Sequence, residues 1–188
     1  MKTTAVLAPT LACAASTLAA PTTTTYYNLV ASASGAAFDG QSLKANGGWW
    51  FIGKETSSTC GDVSPAVTAT SSGALAFYAD GRQNQQRAFV DISGAASGLL
   101  GFTLADQTSL NPSQPADKFS LAGSEMDNIK LFWDGASSWL ACPTGEADGQ
   151  YYVYPEAAYS KAVGKDKCTK FEIGVTQVET PKEVCVYN

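Results

Sequence analysis

The chain has 188 residues, with 12 basic residues, 17 acidic residues and no histidine, which gives a formal net charge of −5. The lack of imidazole excludes a Ser-His-Asp triad, a Cys-His pair and a His-ligated zinc site. The pI near 4.6 argues against nucleic acid as a partner, because a phosphate backbone is bound by clustered Lys and Arg. Any catalysis would therefore depend on carboxylates.

Residues 1–19 are predicted to form a signal peptide. Lys2 supplies a positive charge, residues 5–18 are mostly apolar, and Thr17 and Ala19 place small residues before a cleavage site after Ala19. The apolar stretch is shorter than the about 20 residues of a membrane span. We therefore expect an exported protein with no membrane partner.

Residues 20–26 are predicted to form a threonine-rich linker that does not pack against the domain. Its run of hydroxyl side chains is typical of a frayed terminus or of an O-mannosylated stub. The candidate sites for O-glycosylation are Thr22, Thr23, Thr24 and Thr25.

Four cysteines remain once Cys13 is assigned to the signal peptide: Cys60, Cys142, Cys168 and Cys185. An even number of cysteines in an exported chain predicts two disulfides rather than a metal site. Four cysteines allow three pairings. We favour Cys60 with Cys185 and Cys142 with Cys168, because this pairing ties the end of the chain to its first third.

Residues 27–188 are predicted to form a single all-β domain. Short runs rich in β-branched and aromatic residues alternate with Gly, Ser, Asn and Asp, and none shows an extended helical period. Such spacing is typical of a β-trefoil, a β-sandwich or a β-barrel built from about twelve short antiparallel strands. The predicted strands are residues 27–31, 49–52, 66–70, 74–78, 87–92, 99–103, 118–121, 129–133, 139–142, 151–154, 170–175 and 183–187.

One internal similarity favours the trefoil among these folds. Residues 75–81 and 129–135 each consist of an apolar run that ends in Asp-Gly, and each is followed by a second apolar run. The pattern predicts a hairpin with an Asp-Gly turn at both places. A hairpin repeated in this way would fit a pseudo-threefold arrangement, although a two-sheet fold explains the same strands.

Adjacent aromatic residues are the candidate binding residues. Neighbouring side chains in a strand point to opposite faces, so at least one ring of Trp49 and Trp50, and one of Tyr151 and Tyr152, is expected to be exposed unless both faces are covered. The alternatives are core packing and contact with a sugar ring. A cell wall polysaccharide, glucan or mannan, is the expected partner in the second case.

Catalytic residues are not predicted. Glycoside hydrolysis needs two carboxyl groups about 5 to 9.5 Å apart, one of them with a raised pKa. No acidic residue lies in a hydrolase signature, and Asp80 and Asp134 precede Gly in predicted turns. We expect no enzyme activity, cofactor or metal, with a carboxylate-only glycoside hydrolase as the alternative, for which the candidates are Asp39, Asp62, Asp80, Asp91 and Asp134.

A set of motifs lies between residue 89 and the last residue of the sequence. The motifs are Phe-Val-Asp-Ile-Ser-Gly at residues 89–94, Gly-Phe-Thr at residues 101–103 and Leu-Ala-Cys-Pro at residues 140–143. Cys168 and the terminal Cys-Val-Tyr-Asn at residues 185–188 complete the pattern. In these motifs the chain resembles the fungal PhiA-type cell wall proteins. The resemblance implies a secreted, wall-associated protein that contributes to wall organisation or development, and it implies no catalytic residues.

A fainter similarity, from Cys60 to Cys185, is to the four-cysteine C-terminal domain of the PIR cell wall mannoproteins. The chain lacks the tandem repeat of those proteins. A covalent link of the PIR type to the wall is therefore not predicted. From the PhiA-type resemblance we expect a non-enzymatic protein of the fungal wall, and we expect it to be a monomer. The alternative is a soluble secreted glycan-binding module, effector or allergen.

Overall fold

A computed structural model describes residues 24–81, 85–123, 128–160 and 164–188. In these ranges the chain forms twelve β-strands and one short 3-10 helix, Lys165–Lys167. The strands are β1 (Tyr26–Ser32), β2 (Lys44–Asn46), β3 (Trp49–Ile52), β4 (Val67–Ala69), β5 (Leu75–Phe77), β6 (Ala88–Asp91), β7 (Leu99–Phe102), β8 (Phe119–Ala122), β9 (Lys130–Trp133), β10 (Ser138–Pro143), β11 (Tyr151–Pro155) and β12 (Thr169–Val178). The all-β prediction is confirmed.

All twelve strands belong to one antiparallel sheet that nearly closes on itself. Its main path runs β5-β4-β1-β12-β10-β11-β3-β7-β6, while β2 pairs with β3 and β8 and β9 join beside β12. The two ends of the path meet at a single bridge between Ala76 and Arg87. A barrel-like sheet is therefore the form that the predicted all-β domain takes.

The structure differs from the predicted strands at two places. Residues 183–187 form no strand, and only Tyr187 makes an isolated bridge, with Ser58. Strand β2 was not predicted. It pairs with β3 across Gly47 and Gly48, which have positive φ angles of 61° and 81°, and such a Gly-Gly turn is a hairpin signal.

The two Asp-Gly segments are not equivalent hairpins, so the expected internal repeat is absent from the described residues. Asp134 and Gly135 do form a tight turn with positive φ at both residues. The strand after this turn, however, pairs with β11 and β12, whereas β9 pairs with β8 and β12. Strands β5 and β6 share only the Ala76–Arg87 bridge.

The interior of the sheet is filled by one side of each strand. On β3 the side chains of Trp50 and Ile52 are fully buried in the main cluster. Leu100 and Phe102 on β7 join the same cluster. Because successive strand residues point to opposite faces, the residues between them lie on the outside of the sheet.

The C-terminal tail closes the interior beside the bridge between β5 and β6. Tyr187 is 4% exposed, and its ring packs edge-on against Phe77, with the centroids 5.2 Å apart. The buried side chain of Gln86 accepts a hydrogen bond from the Tyr187 backbone N–H at 2.8 Å. Its amide donates to the carbonyl oxygens of Tyr187 and Thr103 at 2.9 and 2.7 Å. The tail thereby links β5 to β6 and β7.

Both favoured disulfides are confirmed. Cys60 pairs with Cys185 across 125 residues, and Cys142 pairs with Cys168 across 26 residues. The first bridge anchors the tail that carries Tyr187. The second joins β10 to the residue before β12.

The signal peptide at residues 1–19 and the linker residues Thr22 and Thr23 lie outside the described residues. Thr24 is exposed and Thr25 is partly exposed, and their O-glycosylation stays a prediction. No helix in the described ranges is long and apolar enough to cross a membrane.

Removal of the two disulfides is expected to have unequal effects on stability. In the chain-entropy model, the loop closed by Cys60 and Cys185 contributes about 5 kcal/mol and the one closed by Cys142 and Cys168 about 3.5 kcal/mol. Urea unfolding of the two double Cys→Ala variants measures this difference. A larger loss for the Cys142/Cys168 variant would contradict the assigned role of the tail bridge.

Stability is expected to fall above pH 10 because of Tyr187. Burial raises the pKa of Tyr187 to about 12, whereas an exposed tyrosine titrates near 10. Between these values the unfolded chain has lost a proton that the folded chain keeps, so rising pH favours unfolding. The unfolding midpoint of the wild type should fall relative to that of Tyr187→Phe as the pH rises from 10 to 12, because only the wild type carries the group whose ionisation favours unfolding. Parallel profiles would show that Tyr187 titrates normally.

Candidate functional site

A second, smaller apolar cluster lies on the outside of the sheet. It consists of Leu99, Leu140, Cys142 and Tyr154, which are 1 to 8% exposed. Tyr159 and Cys168, from the segment between β11 and β12, pack against it. The Cys142–Cys168 disulfide fixes this segment to the sheet, so the outer cluster is held in place by a covalent bond.

Two partly exposed aromatic rings border this outer cluster. Trp49 on β3 and Tyr152 on β11 both pack against it. Tyr152 lies opposite Phe51 in the strand register, with the ring centroids 4.9 Å apart and the planes tilted by 39°. The Lys54 ammonium lies 4.3 Å from the centroid of the Phe51 ring. The Phe51 ring itself is buried, at 2% exposed. We call the partly exposed side chains around it, Trp49, Tyr152 and Lys54, the outer aromatic surface.

The four candidate aromatic residues divide between the two faces of the sheet. Trp50 is 0% exposed, and its ring packs edge-on against Phe77 at 5.3 Å. Tyr151 packs against the interior cluster and lies 5.0 Å from the ring of Phe38. A fully buried ring cannot stack on a sugar, so Trp50 is removed from the expected glycan contacts. Trp49 and Tyr152 are the candidates that the outer face retains.

The Trp49 ring packs against the backbone of Gly101, where no side chain is in the way. It lies opposite both Trp49 and Phe89 in the strand register. A Cβ atom at this position would lie 2.7 Å from the Phe89 ring and 3.0 Å from the Trp49 ring. The two rings meet edge-on, with centroids 6.1 Å apart and an interplanar angle of 71°. The orientation of Trp49 therefore depends on the missing side chain of Gly101.

The outer aromatic surface offers contacts through ring faces, polar ring edges and the Lys54 ammonium. Tyr and Trp rings present an apolar face together with a polar edge, a combination that suits ligands with both apolar and hydroxyl groups. The observed ring pairs are tilted or edge-on rather than coplanar. Such an arrangement offers separate rings rather than one continuous platform.

Hydrogen bonds lower the pKa of three carboxyl groups. The Thr56 backbone N–H and the Lys44 ammonium, at 2.7 and 2.9 Å, hold the pKa of Asp62 below its ordinary value. A hydrogen bond from Ser138 at 2.6 Å and another from Lys170 at 2.9 Å lower the pKa of Glu156. A lowered pKa is the opposite of what a general acid needs.

The pKa of the buried Asp91, on β6, is also lowered. Burial acts to raise the pKa of Asp91, but hydrogen bonds from Ser93 at 2.9 Å and from Gln114 at 3.0 Å outweigh it, so the pKa is lowered. Asp39 accepts a hydrogen bond from the Ala33 backbone at 2.7 Å, and Asp134 pairs with Lys118 at 3.0 Å. Each of these carboxylates stabilises a loop or a turn.

One group of metal-ligand residue types occurs in the described residues. Ligand atoms of Cys60, Glu183 and Cys185 lie within 4.8 Å of one another. Both sulfur atoms are already joined in a disulfide, and a thiolate is the form of cysteine that binds metal. The group therefore offers no thiolate ligand.

Sequence reasoning found Trp49 and Tyr152 but missed their partners. The contacts with Phe51, Phe89 and the backbone of Gly101 depend on which strands are neighbours. The alternation in the Trp-Trp-Phe-Ile segment at residues 49–52 was the available signal, since it places Trp49 and Phe51 on one face. Nothing in the sequence states that β3 lies between β7 and β11.

Together, these observations define a class: an all-β, disulfide-braced domain with an outer aromatic surface. The sequence profile described as "PhiA-like secreted protein" matches residues 27–188, and the chain belongs to this family.

Two relatives agree with this assignment. The chain is 33% identical over 173 residues to the cell wall protein phiA of Emericella nidulans, an alignment that covers 90% of each chain. It is 30% identical over 188 residues to the cell wall protein phiA of Aspergillus fumigatus, which covers 97% of this chain and 96% of the relative. No solved structure matches the chain significantly. The expected localisation, secretion to the fungal cell wall, is confirmed.

Substitution of Gly101 by Ala is expected to displace Trp49. The added methyl group meets two rings in a packed layer, and overpacking of this kind typically costs about 1 to 3 kcal/mol. Gly94→Ala is the matched control, because a Cβ there has no atom within 4 Å, and its effect should stay within about 0.5 kcal/mol. Urea unfolding and Trp emission measure both effects. Equal stability and emission in the two variants would show that Gly101 does not position the ring.

Proposed function

We propose that this protein is a non-enzymatic structural component of the fungal cell wall, held there by contact between a neutral wall polysaccharide, glucan or mannan, and the outer aromatic surface. In this role it contributes to wall organisation. The protein acts by adhesion and cohesion, so its rigidity matters more than any reactive group.

The observation that carries the proposal is the position of Trp49 and Tyr152. Both rings are partly exposed at the border of a cluster that is braced by the Cys142–Cys168 disulfide. Rings held in fixed positions before binding lose little conformational entropy when a ligand arrives. Their apolar faces are suited to the C–H faces of a pyranose, and the tyrosine edge is suited to its hydroxyl groups.

The non-enzymatic part of the proposal is supported by the carboxylates. Asp62, Asp91 and Glu156 are engaged in hydrogen bonds that lower the pKa of each group. Glycoside hydrolysis would require a carboxyl group with a raised pKa beside a second carboxylate. The chain also contains no histidine, the most frequent general base of other hydrolases.

Loss of either ring is expected to weaken retention in the wall. Trp49→Ala and Tyr152→Ala should each lower the ratio of wall-bound to medium protein by roughly 2- to 12-fold, since one aromatic contact contributes about 0.5 to 1.5 kcal/mol beyond area burial. Phe132→Ala is the control. Phe132 is a partly exposed aromatic residue on β9 that belongs to neither described cluster. The ratio is measured after release from purified walls by detergent, reductant, alkali and glucanase.

Trp fluorescence gives a direct binding readout in solution, with Trp49→Phe as the additional variant. Trp49 is partly exposed, whereas Trp50, Trp133 and Trp139 are 0, 5 and 0% exposed. A change in Trp emission on addition of glucan or mannan oligosaccharides should therefore report on Trp49 and vanish in Trp49→Phe. Recovery of the wild type from the medium alone would contradict the wall role. Equal retention of Trp49→Ala and wild type would contradict the assigned surface.

A further inference from the structure

A polar groove lies where the two ends of the sheet meet. Among the described residues, the strand pairing between β5 and the start of β6 consists of one bridge, Ala76–Arg87. Beside this bridge opens a groove of about 390 Å³. Apart from the alanines of its floor, the groove is lined by hydroxyl, amide and guanidinium side chains. We call it the seam groove, and its polar residues include Thr70, Ser72, Gln85, Arg87, Gln107 and Thr108.

Arg87 is the cation of this groove, and its backbone is fixed. The Arg87 N–H donates to the Thr103 hydroxyl at 3.0 Å, and the Thr103 N–H donates to the Arg87 carbonyl oxygen at 2.9 Å. Arg87 is exposed. Within the described residues no carboxylate lies within ion-pair distance of its guanidinium.

Most other cations in the described ranges form ion pairs, whereas Arg87 forms none there. Six lysines in the described ranges pair with carboxylates at 2.7 to 3.7 Å; they are Lys44, Lys54, Lys118, Lys130, Lys165 and Lys170. The described cations without such a pair are Lys167, Lys182 and Arg87. Of these three, Arg87 is the one that lines a described groove.

The walls of the seam groove are ordered by their own hydrogen bonds. The hydroxyl groups of Thr70 and Ser72 lie 2.8 Å apart. The Gln85 amide donates to the Phe77 carbonyl oxygen at 2.7 Å, and Gln107 bonds through both ends of its amide to the backbone of its own loop. The groove therefore presents donors and acceptors in positions set before any ligand binds.

We propose that the seam groove binds a saccharide that carries a carboxylate or a phosphate group. Arg87 pairs with the anionic group, because a guanidinium donates two parallel hydrogen bonds to a planar carboxylate or to a phosphate. The hydroxyl and amide side chains of Thr70, Ser72, Gln85 and Gln107 bond to the sugar hydroxyl groups. Such ligands combine one anionic group with several hydroxyl groups. The groove offers the matching partners, which are one cation and several hydroxyl and amide side chains.

Charge, rather than ring stacking, determines the ligand in this groove. No aromatic side chain lines the seam groove in the described residues, so a neutral sugar lacks the stacking contact offered at the outer aromatic surface. The net charge of −5 repels anions in general. Specific binding of an anion at this place therefore depends on the local cation. The two surfaces share no residue, and the seam groove does not rest on the proposed wall contact.

The proposal is tested by titrating the secreted protein, ¹⁵N-labelled, with three probes followed by NMR. Glucuronate and glucose 6-phosphate carry an anionic group, and glucose does not. We expect saturable shifts of the backbone amides of residues 70, 72, 85, 87 and 107 with at least one anionic sugar and none with glucose. The affinity should fall as salt rises, because the contact is between charges.

Three variants locate the contact. Arg87→Gln should weaken binding of the anionic sugar by about tenfold or more, since a charge-assisted contact is lost. Arg87→Lys keeps the charge but loses the planar fork, and its affinity should lie between those of Arg87→Gln and the wild type. Lys182→Gln removes another exposed, unpaired cation and should bind as the wild type does. Amide spectra without ligand verify that each variant is folded.

Several outcomes would overturn the proposal. They are the absence of saturable binding by both anionic sugars, equal affinity of Arg87→Gln and the wild type, and equal affinity for glucose. Inorganic phosphate or acetate binding as tightly as the sugars would also overturn it, because the sugar would then contribute nothing. Trp49→Ala should retain the anionic site, so failure of the wall contact and failure of the seam groove give different results.

Discussion

A buried glutamine joins the two ends of the sheet. The side chain of Gln86 forms hydrogen bonds with both backbone groups of Tyr187 and with the carbonyl oxygen of Thr103, and the Tyr187 ring fills the space against Phe77. A buried backbone group without a partner costs about 1 to 3 kcal/mol. Since β5 and β6 share only one bridge, this contact and the Cys60–Cys185 disulfide complete a closure that strand pairing leaves unfinished.

The filled interior explains where the two proposed binding surfaces lie. The interior is filled by side chains such as Trp50 and Phe102, so ligands can reach only the outside of the sheet and its seam. The outer aromatic surface lies on the outside, on a layer braced by the second disulfide. The seam groove lies beside the Ala76–Arg87 bridge, where the two ends of the sheet share the fewest paired residues. One constraint, closure by the tail rather than by a full strand pair, therefore leaves an open polar groove next to a rigid core.

Eleven of the predicted strands overlap strands of the structure, because alternating apolar runs between turn residues are a local property of the chain. The residue run Lys-Ala-Asn of β2 has little strand character of its own and forms a strand because the turn at Gly47 and Gly48 folds it against β3. Residues 183–187 have strand character but follow the disulfide and Gln86 into the interior. In both places a contact outside the segment overrides its own pattern.

The sequence by itself determined the all-β class, the presence of two disulfides and the exclusion of histidine chemistry, since these follow from counts and local periodicity. The pairing of the cysteines was only favoured from the sequence, and the structure decided it. The sequence also placed Trp49 and Tyr152 in pairs of which one member was expected to face outward unless both faces of the sheet were covered. Only the tertiary structure decided that Trp50 is buried and Trp49 partly exposed, and that Tyr151 packs against the interior cluster and Tyr152 against the outer one. It also decided that Gly101 supports Trp49 and that Arg87 stands without a carboxylate among the described residues. These facts depend on which strands are neighbours, and contacts between residues far apart in the chain are not encoded in any single segment.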